Sequence, residues 1–492
     1  MGLIASIERL DGPDAESLRP SQIAPVRGAC EHPVVEAEQS VERDPRPDPT
    51  RARAAAVRVV RRLRSAGHEA LLAGGCVRDL LLGREPDDYD VATSARAEQV
   101  RRLFPRTIPV GVQFGVVLVI QDGVHVEVAT FRRDGAYLDH RHPAHVEFCG
   151  AREDALRRDF TINGMFLDPE TNEVLDYVDG RADLDARVLR AIGRPEDRFD
   201  EDRLRLMRAV RFAARFGYAI EPATWTAVQR LAPGIEAIAA ERVGEEIVKI
   251  LREGSARRGF ELLSESGLLK VVLPEIEAMR GVEQSVEHHP EGDVFAHTLS
   301  CLEKIERRHG ESLALAVLLH DVAKPITQAR RADGRITFHG HCEEGAEMAR
   351  AICRRLRRSR DVGERVGWLV EHHLRHLQVR EMRVATLRRF LGHPDIENLL
   401  ELIRIDALSG SGDLSSWEFC RARQRDFGDE APRPEPLVRG RDLLALGYRA
   451  GPEFSRILEQ AYDAQLEGEV RSNEAAREWV RAHFPVEDES AS

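Results

Sequence analysis

Lysine is nearly absent from this chain. Of its 72 basic residues only four are lysine, so arginine carries almost all of the positive charge. A bias this strong is typical of genome composition, and a single arginine is therefore weak evidence for a binding site.

Cysteine is sparse and unpatterned. The seven cysteines are scattered, their number is odd, and no two form a C-x-x-C pair. This argues against a disulfide framework and gives no indication of a thiolate zinc site. We therefore expect a protein of the reducing cytoplasm.

Long apolar runs are missing as well. No stretch approaches the ~18–20 apolar residues of a membrane span, and the start lacks a basic region followed by an apolar core. A membrane protein is not expected.

The length and charge of the chain set further limits. A single hydrophobic core stops growing at about 250–300 residues, so 492 residues with 42% hydrophobic content predict several soluble domains. The formal net charge of −12 argues against nucleic-acid binding in general. Nine arginines at helical spacing between Arg187 and Arg215 are either a cationic strip for phosphates or a solvated helix face balanced by acidic neighbours.

The most informative stretch joins a glycine turn to a pair of carboxylates. Gly74 and Gly75 permit a close backbone approach to a triphosphate, and Arg78 can add a forked, charge-assisted contact. Asp88 and Asp90 are two residues apart, so in an extended segment both carboxylates face one side and suit Mg²⁺. Each signal alone is weak, whereas together they favour nucleotidyl transfer.

A third acid is needed to hold two Mg²⁺ ions. In the segment 124–129 valine alternates with polar residues, which predicts a strand that buries Val124, Val126 and Val128 and presents Glu127 on its other face. Two ions about 3.5–4 Å apart could activate a 3′-hydroxyl and neutralise the leaving pyrophosphate.

Five segments resemble the class II CCA-adding enzymes (tRNA nucleotidyltransferases) and the bacterial poly(A) polymerases that share their head domain. The matching segments are 72–79, 87–93, 157–165, 179–184 and 201–208. The resemblance implies that Asp88 and Asp90 hold the metals, with Glu127 as the third acid. It places Arg157, Arg158, Asp159 and Asn163 around the ribose and triphosphate of the nucleotide, and Arg208 with the nucleotide-binding residues.

Asp202 and Arg205 are three residues apart and are expected on one helix face. Cytosine and adenine each present an amine donor beside a ring-nitrogen acceptor, whereas uracil and guanine present a carbonyl beside an N–H. A carboxylate and a guanidinium therefore pair with C and A only. The resemblance implies this base recognition, and the alternative is a surface salt bridge between the two residues.

A second constellation of histidine and aspartate lies in the later half of the chain on segments with helical periodicity. It resembles the HD phosphohydrolase domain. Imidazoles and carboxylates that converge from several helices are ligands for a divalent transition metal, which can supply a hydroxide for phosphoester hydrolysis. We assign a first metal to His297, His320, Asp321 and Asp406, and a second metal or a phosphate to His341 and His373, with His372 an equally adjacent substitute.

These landmarks predict an α+β chain with a small mixed-sheet nucleotidyltransferase head, followed by an all-α neck, HD body and tail. The expected divisions are a disordered extension at 1–50, head at 51–186, neck at 187–256, HD domain at 257–427, and linker with RNA-binding tail at 428–492.

The resemblance implies CTP and ATP as substrates and tRNA, or another RNA 3′ end, as partner. The segment Gly111–Val117 is more typical of CCA addition than of poly(A) synthesis. Poly(A) polymerase, an A-adding enzyme and an RNA end-repair phosphodiesterase remain alternatives.

Overall fold

The structure is a computed structural model that describes residues 48–111, 114–135, 145–285, 292–427 and 433–485. Most of the expected extension at 1–50, part of the segment Gly111–Val117 and part of the linker after residue 428 lie outside the described residues. No described helix is both long and apolar enough to cross a membrane.

The head is built on one mixed sheet. Its elements are α1 (Pro49–Ser65), β1 (Ala70–Ala73), α2 (Gly75–Leu81), β2 (Asp90–Thr93), α3 (Ala97–Leu103), β3 (Thr107–Gly111), β4 (Val116–Gln121), β5 (Val124–Thr130), β6 (Arg132–Asp134), β7 (Val146–Phe148), α4 (Ala151–Leu156), β8 (Phe166–Leu167), β9 (Val174–Leu175) and α5 (Gly180–Ala186). Seven strands pair in the order β3-β4-β5-β2-β1-β8-β9, while β6 and β7 form a separate pair. Only β2 and β5 are parallel neighbours in the seven-stranded sheet.

The two faces of this sheet are covered differently. Valines and leucines such as Leu72, Val91 and Val128 pack against α1 and α3, where apolar residues of α1 are fully buried. The other face has a smaller apolar cluster that includes Ala73, Ala92 and residues of α4. Because side chains alternate along a strand, Asp90 and Glu127 lie on this less covered face.

The neck is helical. It contains β10 (Val188–Leu189), α6 (Pro195–Glu201), α7 (Leu204–Phe216), β11 (Ala219–Ile220), α8 (Pro222–Leu231) and α9 (Ala240–Arg252). β10 and β11 form a short parallel pair. Helix α7 is buried along most of its length and packs against α9 and the first body helix.

The body and tail are also helical. They contain α10 (Ala256–Glu265), α11 (Leu268–Val272), α12 (Pro274–Glu277), α13 (Val294–Leu302), α14 (Glu311–Leu319), α15 (Lys324–Thr327), β12 (Ala329–Arg330), β13 (Ile336–Thr337), α16 (His341–Arg355), α17 (Arg360–His372), α18 (Val384–Leu391), α19 (Ile396–Ser409), α20 (Ser415–Asp426), α21 (Gly440–Ala445), α22 (Pro452–Leu466) and α23 (Asn473–His483). The predicted fold class is confirmed. The departures from an all-α region are the β10–β11 pair and the β12–β13 hairpin.

One continuous apolar core runs through head, neck and body, whereas the tail has its own small core. The apolar run that ends at Leu319 forms helix α14, in which every residue from Leu313 to Leu319 is buried. Burial of this helix on all sides fixes the position of His320 and Asp321, which follow it directly.

Candidate active site

Three acids meet at one edge of the parallel strand pair. Asp90 is the first residue of β2 and lies in register with Glu127 of β5. Asp88 is exposed two residues before Asp90, with Tyr89 buried between them. In β5 the residues Val124, Val126 and Val128 are buried and Glu127 is exposed, so the predicted alternation is present.

The charges of these acids interact. Burial in the cleft and the charges of Glu127 and Asp88 raise the pKa of Asp90 to about 8. Partial desolvation beside the cleft and the charge of Asp88 raise the pKa of Glu127, while the Arg158 guanidinium opposes the shifts of Asp90 and Glu127. Like charges held this close repel one another, and a bound divalent cation removes that repulsion. The hard oxygen donors therefore fit Mg²⁺.

A cavity of about 250 Å³ adjoins the acids. Its lining includes the acids Asp90 and Glu127 and the bases Arg132, Arg157 and Arg158. A space lined by both carboxylates and guanidinium groups suits a metal-bound polyphosphate.

Gly74 forms the turn between β1 and α2. Its φ of +71° is in the left-handed region, and a Cβ there would lie 2.8 Å from Nη1 of Arg158. Its amide N–H donates to the carbonyl of Met165 at 3.1 Å. Glycine at this position therefore lets Arg158 approach the turn, and the amide of Gly74 itself is already bonded. Gly75 is the first residue of α2.

Arg78 is buried beneath this turn. Its side chain is 4% exposed, with Nε donating to Asp79 and Nη1 to Oδ1 of Asn163 at 2.5 Å. The guanidinium also lies over the Phe216 ring, 4.6 Å from its centroid. These contacts hold Asn163 and link α2 to the neck, and a direct phosphate contact by Arg78 stays a prediction.

Arg157 and Arg158 are both held by Asp154 of α4. Arg157 Nη2 donates to Asp154 Oδ1 at 2.7 Å, and Arg158 Nη2 donates to Oδ2 at 3.0 Å. The two guanidinium groups lower the pKa of Asp154 against the opposing effect of its burial. The sequence prediction missed this residue, although its spacing of three and four from the two arginines is the helical spacing for such pairs.

Asp159 connects the head to the neck. It is buried and accepts hydrogen bonds from Asn163 at 3.0 Å and from Arg208 Nε and Nη2 at 2.9 and 2.6 Å. Desolvation opposes ionisation, but these contacts hold the pKa of Asp159 well below its usual range. Asp159, Asn163 and Arg208 thus form one network with Arg78.

The expectation that Asp202 and Arg205 lie on one helix is wrong. Helix α6 ends at Glu201, Asp202 is extended, and Arg205 lies in the first turn of α7. The Asp202 carboxylate accepts from the Leu204 amide at 3.1 Å, which favours a break in the helix at this point.

The two residues also do not form the salt bridge considered as the alternative. Asp202 pairs with Arg242 of α9 at 2.9 Å, whereas Arg205 Nη1 donates to Glu201 at 2.7 Å. Arg242 and Glu201 thus each hold one of the two side chains, and sequence spacing gave no indication of Arg242. Recognition of a base by Asp202 and Arg205 stays a prediction.

The arginines between Arg187 and Arg215 are not an open cationic strip. Eight of the nine lie within 4 Å of a carboxylate, namely Arg190, Arg194, Arg198, Arg203, Arg205, Arg208, Arg211 and Arg215. Their charge is therefore largely neutralised within the protein.

The second cluster lies in the body, where three helices bring its first four members together. His297 is on α13, His320 and Asp321 follow α14, and Asp406 is on α19. His297 Nε2 is 3.0 Å from Asp406 Oδ1 and 4.0 Å from Asp321 Oδ2. His320 Nε2 is 3.3 Å from Asp321 Oδ2.

His341 and His373 face the other oxygen of Asp321. Their Nε2 atoms are 3.7 and 3.9 Å from Asp321 Oδ1. His372 is oriented differently, since its ring stacks on Trp368 with centroids 4.8 Å apart. The structure thus favours His373 over His372 as the member of this cluster.

Three histidines of this cluster, His320, His341 and His373, are oriented for metal binding through Nε2. The Nδ1 atoms of His320, His341 and His373 lie 2.7–2.9 Å from backbone carbonyls, so Nδ1–H donates and Nε2 is left as the ligand atom. Nε2 of His320 and Oδ2 of Asp321 lie 3.3 Å apart, and Oδ2 also contacts Lys324 at 2.7 Å. A buried set of imidazole nitrogens and carboxylate oxygens of this kind fits a divalent transition metal.

Charges within the cluster shift its pKa values in different directions. Asp321 raises the pKa of His320 to about 9 against the effect of burial, while burial and the charge of His320 lower that of His373 to about 3. Lys324, missed by the sequence prediction, lies 2.7 Å from Asp321 and helps to keep the pKa of that buried carboxyl low.

Two groups of potential ligands occur among the described residues. The first comprises His297, Cys301, His320 and Asp406, and the second His341, Cys342 and His373, with the donor atoms of each group within 4.8 Å of one another. Both cysteines were missed by the sequence analysis because neither belongs to a recognisable cysteine motif.

Comparison with known families finds three matching profiles. They are the poly(A) polymerase head domain over residues 70–190, a probable RNA- and SrmB-binding site of polymerase A over 217–280, and the HD domain over 294–410. The matches follow one another along the chain in the order head, neck and body.

Relatives and solved structures resemble most of the chain. The CCA-adding enzyme of Lactobacillus johnsonii is 30% identical over 424 residues, covering 86% of this chain and 95% of that enzyme. The CCA-adding enzyme of Anoxybacillus flavithermus is 31% identical over 428 residues, covering 86% and 96%. The structure of the Bacillus stearothermophilus CCA-adding enzyme in complex with CTP has a TM-score of 0.68 at 27% identity, covering 87% of this chain and 97% of that one.

Proposed function

Because the chain belongs to the CCA-adding enzyme family, we propose that it adds CMP and AMP from CTP and ATP to the 3′ end of tRNA. The observation that carries this proposal is the cleft in which Asp90 and Glu127 lie in register, with Asp88 close enough for its charge to act on both and with Arg157 and Arg158 in the same lining.

The acids and the arginines of the cleft have different roles in this proposal. Asp88, Asp90 and Glu127 would hold Mg²⁺, and the bound ions would supply activation of the 3′-hydroxyl and neutralisation of the leaving pyrophosphate. Arg157 and Arg158 contact the triphosphate, and Asp154 keeps their guanidinium groups directed at the cleft. Gly74 leaves the space that Arg158 occupies.

Selection of the base depends on Asp202 and Arg205. Asp202 is paired with Arg242, and Arg205 is paired with Glu201. A bound cytosine or adenine would therefore have to replace these ion pairs with hydrogen bonds from its amine to Asp202 and from Arg205 to its ring nitrogen. A wrong base leaves about two polar groups unpaired, at about 1–3 kcal/mol each, which is enough for discrimination without a template.

A direct experiment measures nucleotide incorporation on tRNAs that end before CCA, after C and after CC. The proposal predicts addition of two C residues followed by one A, and no extension of a finished CCA end. Incorporation of ATP alone, or growth of an A tail, would support an A-adding enzyme or a poly(A) polymerase instead. No incorporation would contradict the transferase proposal altogether.

A specific observation favours a second activity, phosphoester hydrolysis in the body. The donor set around Asp321, whose carboxylate lies within 4.0 Å of Nε2 of four histidines, supports a metal-dependent phosphohydrolase that acts on 2′,3′-cyclic or 2′-phosphates at RNA ends. Release of phosphate or opening of a cyclic phosphate by the full chain, measured with added transition metals, tests it. An RNA end-repair phosphodiesterase without transferase activity would show only this reaction.

The same assignment divides the chain into a head at 51–186, a neck at 187–256, an HD body at 257–427 and a tail from 428 to 492 that contacts RNA. The separate apolar core of the tail supports its boundary. The three profile matches support the order of the others.

A further inference from the structure

A second cavity, of about 310 Å³, lies where helices α17 and α18 of the body meet helix α22 of the tail. None of its lining residues lines the transferase cleft or belongs to the histidine and aspartate cluster around Asp321. Its volume is at the lower end of the range of about 300–1,000 Å³ that is usual for small-molecule sites.

Four arginines line this cavity, namely Arg375, Arg383, Arg389 and Arg433. Only Arg389 lies within 4 Å of a carboxylate in the part of the chain that the structure describes, and its Nη2 is 2.8 Å from Oδ1 of Asp463. By contrast, the arginines of the neck are almost all paired. The cavity therefore keeps positive charge that a protein of net charge −12 has neutralised elsewhere, and such a cavity attracts anions.

Arg433 is fixed in place without a carboxylate. Its Nε and Nη2 donate to the backbone carbonyl of Arg389 at 3.0 and 2.6 Å. A guanidinium held by a neutral carbonyl keeps its full charge, and planar guanidinium groups bind phosphate oxygens through charge-assisted, forked hydrogen bonds.

Three flat rings also belong to the lining. The Trp368 indole stacks on the His393 imidazole with centroids 3.5 Å apart, and on the His372 imidazole with centroids 4.8 Å apart. Nδ1 of His393 accepts from the Asp395 amide at 3.1 Å, so Nε2 carries the proton of the neutral ring and is left as a donor. A nucleobase can extend such a stack, since every base has a flat face.

The tail contributes two acids, Glu459 and Asp463, to the same lining. Glu459 is held only loosely, because its side chain is 66% exposed and its Oε1 lies 3.5 Å from Nη1 of Arg389. Carboxylates accept hydrogen bonds from ribose hydroxyls in other nucleotide sites. The same acids repel a continuous RNA backbone, which favours a small ligand that combines phosphates with hydroxyl donors.

We propose that this cavity is a second nucleotide-binding site, which takes a free ribonucleoside di- or triphosphate such as ATP. The phosphates contact Arg375, Arg383 and Arg433, a ribose hydroxyl donates to Glu459, and the base extends the ring stack that contains Trp368. Because α22 carries Glu459 and the body carries Arg375 and Arg383, the bound nucleotide also bridges tail and body.

The experiment counts the molecules of labelled ATP bound per full chain by equilibrium dialysis with Mg²⁺ and without RNA. The wild type is expected to bind two, one in the transferase cleft and one in the cavity. Arg375→Gln combined with Arg383→Gln should bind one, or should bind the second at least about 10-fold more weakly. Arg360→Gln combined with Arg425→Gln is the control, because it removes the same charge from exposed arginines of the body outside the lining.

A second readout leaves the arginines intact. Trp368 is one of four tryptophans, so ATP should change the intrinsic fluorescence of the chain, and Trp368→Phe should lose that change while it still binds ATP. Trp417→Phe, which lies outside the lining, should keep it. ATP binding that produces no signal from Trp368 would overturn the placement of the base.

The remaining outcomes separate this inference from the proposed transferase. An equal count of bound ATP in the wild type and in the Arg375 and Arg383 variant would overturn the second site. A count that falls from one to none would support the cavity and would contradict nucleotide binding in the cleft instead. If the variant loses affinity for tRNA and keeps both ATP molecules, the arginines contact an RNA backbone and the nucleotide site is overturned.

Discussion

Replacement of Asp90 by asparagine is expected to stabilise the metal-free protein while destroying its transferase activity. The folded protein raises the pKa of Asp90 from 3.8 to about 8 through burial and the charges of Glu127 and Asp88. The folded state thus binds a proton that the unfolded chain has released, and its stability falls as the pH rises from about 4 to 8.

The size of the effect follows from that shift. A rise of about four in the pKa lowers the free energy of unfolding by about 6 kcal/mol, at about 1.4 kcal/mol per pKa unit. This value is an upper limit because the three acids share their protons and water reaches the cleft. We expect Asp90→Asn to recover about 1–3 kcal/mol at pH 8, which raises the unfolding midpoint of a chain of this length by about 1–3 °C. At pH 5 the unfolded chain has only begun to gain from ionisation of Asp90, and the gain should fall to about a third of its value at pH 8.

The measurement is thermal unfolding of the full chain in a chelator at pH 5 and pH 8, with Glu85→Gln as the control. Glu85 is an exposed acid in the same loop, so its neutralisation changes the net charge equally without relieving the cleft. Added Mg²⁺ should stabilise the wild type more than Asp90→Asn. Nucleotide addition by the variant should fall by about 10³-fold, as expected for losing about 4 kcal/mol of metal-assisted stabilisation.

Two results would refute this reasoning. One is a midpoint at pH 8 that Asp90→Asn leaves unchanged or lowers. The other is an equal gain at both pH values, because only ionised Asp90 is destabilising.

Three further perturbations test other parts of the structure. Gly74→Ala strains a backbone at φ +71° and pushes Arg158 away, so the KM for the nucleotide should rise several-fold with little loss of stability in the body. Arg208→Met leaves the buried carboxylate of Asp159 without its guanidinium partner and should lower the free energy of unfolding, measured in urea, by about 2–3 kcal/mol. Adding Asp159→Asn to the same chain should restore part of that loss. His320→Gln should abolish metal-dependent phosphohydrolysis and leave nucleotide addition within about twofold, whereas loss of both activities would contradict separate sites.

The sequence predicted features that depend on local periodicity. Strand alternation placed Val126 inside and Glu127 outside, and a two-residue spacing directed Asp88 and Asp90 to one side. The helical periodicity of the segments that carry the histidines agrees with the helix that precedes His320. These features follow from the side-chain periods of the β-strand, 2.0 residues, and of the α-helix, 3.6 residues. Both periods depend on residues that are close in sequence and not on the rest of the fold.

Only the tertiary structure decided which partner each polar side chain has. From the sequence, Arg78 was expected to contact a phosphate, and Asp202 and Arg205 were expected on one helix. His372 and His373 were equally adjacent candidates for the metal site. In the folded protein Asn163 holds Arg78, Arg242 holds Asp202, and His373 alone of the two histidines faces Asp321. Buried charges need partners, and those partners come from elements far apart in the chain, so no spacing reveals them. Cys301 is the same case, because its neighbours Asp406 and His320 arrive on other helices.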